Sequence, residues 1–66
     1  MDATVLVQIG DEFARKNFNI ANEEVWILTS YNLGRNKLVL EYTNMDLIAI
    51  KVEIQRTTIE GMAEGY

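Results

Sequence analysis

The stretch "NKLVLEYTNMDLIAIKVEI", residues 36–54, decides how this chain is read. Leu38, Leu40 and Tyr42 alternate with Lys37, Val39 and Glu41. Beyond a short polar break, Ile48, Ile50, Val52 and Ile54 alternate with Ala49, Lys51, Glu53 and Gln55. Period-two patterning in β-branched and aromatic residues marks half-buried strands. A three-residue loop of Asn44, Met45 and Asp46 joins them as a hairpin, with Asp46 at the position that wants a left-handed backbone. That loop sets Tyr42 opposite Ile48, Leu40 opposite Ile50 and Leu38 opposite Val52, with Lys37 opposite Glu53 on the other face. A one-residue slip would turn every apolar side chain to the wrong side.

Working outward, "EEVWILTSY" runs into "NLG", and a loop Asn32-Leu33-Gly34 places glycine at the left-handed position of a bulged hairpin. Leu28 then faces Leu38 and Trp26 faces Leu40, so three strands share one apolar face. The competing reading is a helix from Glu23 to Leu33 with Asn22 as its cap and Gly34 at its end. The β-branched Val25, Ile27 and Thr29 and the matching register favour a strand.

At the N-terminus "TVLVQI" alternates, yet Ala3, Leu6, Val7, Gly10, Phe13 and Ala14 fall at helical spacing and make one stripe, with Asn17 as a stop. Thr4, Val5, Val7, Ile9 and Gly10 weaken a helix by propensity. The need to cover the sheet face of Trp26, Leu28, Leu38, Leu40, Tyr42, Ile48, Ile50 and Val52 favours it. The expected fold is α+β, an N-terminal helix packed on a three-stranded antiparallel β-meander. The alternative is an all-β SH3-like small barrel, with residues 4–9 as first strand, 10–23 as a long loop and the tail closing it. One small domain spans residues 1–66, and 57–66 is expected as a loose tail or one docked by Ile59 and Tyr66.

A chain of 66 residues buries only ~60% of the surface its unfolded form exposes, so a lone monomer is marginal. Disulfides, a metal or oligomerisation usually make up the deficit. The chain has no cysteine and no histidine, which removes disulfides and leaves a zinc or copper site only carboxylates and carbonyls. Ten acidic against six basic residues give a net charge of −4, which disfavours phosphate backbones and leans towards protein partners. The first ten residues lack the basic start and apolar run of a signal peptide, and no window is apolar enough to span a membrane. A soluble cytoplasmic protein is expected.

The usual general bases and nucleophiles are missing. Ser30 sits at a strand end, where serine serves backbone hydrogen bonds. Asp11-Glu12 and Glu23-Glu24 are adjacent carboxylates, but neighbours in sequence rarely converge on one cation. The glycines form no phosphate-cradling motif. No catalytic, cofactor-binding or metal-binding residue is assigned, and the chain is expected not to be an enzyme.

The second sheet face decides the functional reading. It is expected to carry Val25, Ile27, Tyr31, Val39 and Ala49 among the charges Lys37, Glu41, Lys51 and Glu53, with Ile27 directly opposite Val39. An apolar centre with a charged rim has the anatomy of an interface. The expectation is a non-catalytic protein-binding or regulatory module that self-associates, as a homodimer or higher, through this face or a strand edge. Its interface residues are Val25, Ile27, Tyr31, Lys37, Val39, Ala49 and Lys51. The alternative is a single-stranded nucleic-acid binder using Tyr31, Arg35, Lys37 and Lys51, which Glu41 and Glu53 on the same face oppose.

Overall fold

The computed structural model describes residues 2–18, 20 and 26–65. Along the chain lie α1 (Ala3–Asn17), β1 (Ile27–Leu33), β2 (Lys37–Thr43), β3 (Ala49–Gln55) and α2 (Arg56–Ala63). The strands form an antiparallel meander in the order β1-β2-β3, and the sheet is not closed. The α+β expectation holds, and the barrel does not form.

Helix α1 forms despite mediocre propensity because its ends are capped and its stripe is buried. Asp2 accepts the Thr4 N–H at 2.9 Å, the Asn17 side chain donates to the Phe13 carbonyl, and Arg15 and Lys16 oppose the dipole in the last turn. Leu6, Val7, Ile9, Gly10 and Ala14 are buried against the sheet residues Leu38, Leu40, Tyr42, Val52 and Ile54. Trp26, Leu28 and Ile50 pack on the same core. Gly10 marks the closest approach, since a Cβ there would collide with Leu38 Cδ2 and lie 3.4 Å from Ile59 Cδ1.

The segment 57–66, expected as a loose tail or one docked by Ile59 and Tyr66, is not loose over 57–63: with Arg56 those residues form α2, which covers the rest of the sheet. Ile59 and Ala63 are buried, with Met62 packed beside them, which is helical spacing. No side chain caps the start of α2. The β1–β2 turn does that work: the Arg56 N–H donates to the Asn36 carbonyl at 2.9 Å and its guanidinium to the Gly34 carbonyl at 3.0 Å. Tyr66 lies outside the described residues.

Both hairpin registers differ from expectation. Between β2 and β3, Tyr42 pairs with Ile50, Leu40 with Val52 and Leu38 with Ile54. The loop has slid by one residue to Met45, Asp46 and Leu47, because Asn44 closes it. Its N–H donates to the Ile48 carbonyl, and its side-chain oxygen accepts from the Asp46 and Ile48 N–H groups at 2.9 and 3.0 Å. Sliding the loop by one moves each partner by two, so no side chain changes face. Leu47 rather than Asp46 takes the left-handed conformation, at φ 62°, and Ile48, expected in the core, is exposed.

Between β1 and β2 the connection is Arg35-Asn36, closed by the Gly34 N–H donating to the Lys37 carbonyl. No glycine has a positive φ. Leu33 pairs with Leu38, Tyr31 with Leu40 and Ser30 with Glu41, whereas Leu28 pairs with Tyr42 and Ile27 with Thr43. The register therefore shifts between Leu28 and Ser30, and Thr29 is the extra residue of a bulge. Its hydroxyl donates to the Glu41 carbonyl at 3.2 Å and lies 3.3 Å from the Thr43 hydroxyl.

Candidate interaction surface

The bulge decides which residues share the uncovered face. Residues directly opposite each other in an antiparallel pair lie on one side of the sheet. Ile27, opposite Thr43, stays on the open face, as do Lys37, Val39, Ala49 and Lys51. Tyr31, opposite Leu40, is turned to the side that the helices cover. Ile27 and Val39 are not opposite each other; Val39 faces Asn32 and Glu53. The expected apolar centre of that face is thus dispersed, and Val25 lies outside the described residues.

The open face is instead organised by charge pairs. The Lys37 ammonium meets Glu53 at 2.8 Å, on the diagonal rather than directly across, and Lys51 meets Glu41 at 4.0 Å. The hydrogen bond and charge of Lys37 hold the Glu53 carboxyl below its ordinary value. The Ser30 hydroxyl donates to the other Glu41 oxygen at 3.4 Å. Both lysines assigned to nucleic acid thus have carboxylate partners, and the aromatic meant to stack beside them is on the other side of the sheet.

The edge of the sheet differs. β1 reads ILTSYNL and contains neither a charged residue nor a proline. It borders β2 on one side, and among the described residues no strand borders it on the other. Tyr31 sits on the covered side yet remains 56% exposed. The other edge strand, β3, carries Lys51 and Glu53 and turns directly into α2. Charge, proline, bulges and short length are the usual devices that blunt an edge. β1 has only the bulge at Thr29, which leaves Ser30–Leu33 regular.

Two features escape a sequence reading. The first is a part-buried polar link between α1 and the sheet: the Tyr42 hydroxyl donates to Asp11 at 2.6 Å, and Arg15 donates to the same carboxylate at 3.1 Å. Arg15 also donates to the Trp26 carbonyl at 3.0 Å and lies over the Tyr42 ring at 5.3 Å. Burial, then the hydrogen bond to Asp11, raises the Tyr42 hydroxyl well above its ordinary value. Asp11, half of one adjacent carboxylate pair, is therefore a structural acceptor. The second is the exposed hairpin tip, with Met45 80% and Leu47 85% accessible.

Among the described residues, no group of three or more acidic, histidine or cysteine side chains is placed to hold a metal ion, and no helix is long and apolar enough to cross a membrane. Over the described residues the chain is a small two-layer α+β domain with one helix-covered sheet face, one charge-paired face and, at β1, one edge that no described strand borders. No family model, curated protein or solved structure matches it.

Proposed function

We propose that the chain is a non-catalytic protein-interaction module whose working surface is the free edge of β1, where a partner's extended segment adds as a further strand. The observation that carries the reading is the charge-free, proline-free sequence of that edge in a chain of net charge −4. Backbone groups on an open edge supply affinity for an added strand, and alternate side chains supply selectivity. Here those side chains are Leu28, Tyr31 and Leu33 on the covered side and Ser30 and Asn32 on the open side.

The test is a selection from a displayed random-peptide library, with the binders mapped by amide chemical shifts. Binders should have apolar and small polar residues in alternation and should shift the amides of residues 27–33. Ser30→Lys should abolish binding while leaving the circular dichroism unchanged. Binders that map to the Lys37 and Lys51 face or to the α1 and α2 surfaces, or a library that yields none, would overturn it.

A further inference from the structure

We propose that the strand added to β1 is β1 of a second copy of this chain, running antiparallel about a twofold axis at Tyr31. This deepens the reading of β1 as a strand-accepting edge and rests on it. Strand β1 is self-complementary. Antiparallel pairing about Tyr31 sets Tyr31 against Tyr31 of the second copy and Ser30 against Asn32 of the second copy. Passing over the extra residue Thr29 then sets Leu28 against Leu33 of the second copy. Every pair matches in face: leucine with leucine and tyrosine with tyrosine on the covered side, small polar with small polar on the open side.

The bulge makes this register selective. Centring on Ser30 would place Tyr31, from the covered side, against Thr29, from the open side. Centring on Asn32 would also match faces, but it sets Tyr31 against Leu33 of the second copy and Ser30 against Gly34 of the second copy, which has no side chain to pair. Only the Tyr31 axis sets the two half-exposed rings directly against each other. A twofold axis normal to the sheet keeps both helical layers on one side, giving a continuous six-stranded sheet with isologous contacts. No charged residue enters the seam, so two molecules of net charge −4 meet there without like charges opposed.

The absence of cysteine makes single thiols a clean probe. Tyr31→Cys, Asn32→Cys and Val39→Cys are each oxidised at concentrations where light scattering reads the wild-type mass. Opposed residues of an antiparallel pair have Cβ atoms about 4.5–5.5 Å apart. The expected result is a wild-type dimer, efficient disulfide formation by Tyr31→Cys and little by the other two. Tyr31→Lys, read by light scattering with circular dichroism as the folding control, should weaken the dimer by about ten-fold or more by replacing an aromatic pair with opposed like charges. Preferential cross-linking through Val39→Cys would overturn the proposal in favour of a face-to-face dimer, and through Asn32→Cys in favour of the other axis. A wild-type monomer that does not cross-link, but still binds selected peptides along residues 27–33, would overturn self-pairing and leave the edge reading intact. Loss of both would remove the edge reading as well.

Discussion

Replacing Gly10 by alanine sets two known quantities against each other. A glycine within a helix costs about 0.8–1 kcal/mol relative to alanine, so Gly10→Ala in α1 gains that much from the backbone. The new methyl would, however, collide with Leu38 Cδ2 and come within 3.4 Å of Ile59 Cδ1, and both residues are fully buried. Overpacking a core of this kind costs about 1–3 kcal/mol. The clash should win, with a net loss of about 1 kcal/mol and a fall of about 4–8 °C in Tm. Gly61→Ala in α2 is the control, because a Cβ there meets nothing within 4 Å; that change should stabilise by about 0.5–1 kcal/mol. The decisive assay is a double-mutant cycle by urea unfolding. In a Leu38→Ala background the methyl fills space instead of clashing, and Gly10→Ala should become stabilising by about 1 kcal/mol. A stabilising effect of Gly10→Ala in the wild-type background, or additivity across the cycle, would refute the close approach of α1 to β2.

Tyr42→Phe should cost about 1–2 kcal/mol at neutral pH by removing the bond to Asp11. Because the folded state raises the Tyr42 pKa, its contribution is present below the ordinary tyrosine value of about 10 and is lost as pH rises above it. Chemical denaturation from pH 8 to 11 should therefore show the wild type losing stability faster than Tyr42→Phe; parallel curves would contradict the assignment. Leu47→Gly should raise stability by about 0.5–1 kcal/mol, the left-handed penalty of Leu47 less the entropy of glycine, and an unchanged or lower Tm would count against the loop geometry. Arg56→Ala should cost about 1 kcal/mol by freeing the Gly34 carbonyl, with faster amide exchange in α2 than in β2; uniform exchange would show that the turn does not hold the helix.

The layer order was legible because its signals are periodic. Leu38, Leu40, Tyr42, Ile50, Val52 and Ile54 announce a one-sided sheet, and the stripe from Ala3 to Ala14 announces its cover. What was not legible depends on single contacts between segments. The one-residue slide of the β2–β3 loop follows from the Asn44 side chain bonding two backbone N–H groups, and an asparagine can equally sit inside a loop. The bulge at Thr29 has no local signature, yet it carries Tyr31 from one face to the other and so changes the composition of the candidate interface. Helix α2 contains two threonines and a glycine and lacks a capping side chain. It is held by burial of Ile59 and by Arg56 reaching a turn 22 residues upstream, neither of which a local pattern encodes.

Desolvation separates the two surfaces that the sequence left open for self-contact. Stacking two open faces would take Lys37, Glu53, Lys51 and Glu41 out of water, and these side chains are now partly to largely exposed. Removing ion pairs from water costs several kcal/mol per charge and is repaid only by near-ideal geometry, which a 4.0 Å contact between Lys51 and Glu41 does not offer. Pairing along β1 removes only hydroxyl, amide and backbone groups from water, and an added strand returns a hydrogen bond to most of them. It also covers Tyr31, Leu28 and Leu33, whose partly exposed side chains line the helix-covered side of that edge. The same charges that make the open face look like an interface rim thus oppose its burial, and on the proposed reading the uncharged edge is where an added strand would meet the lowest barrier.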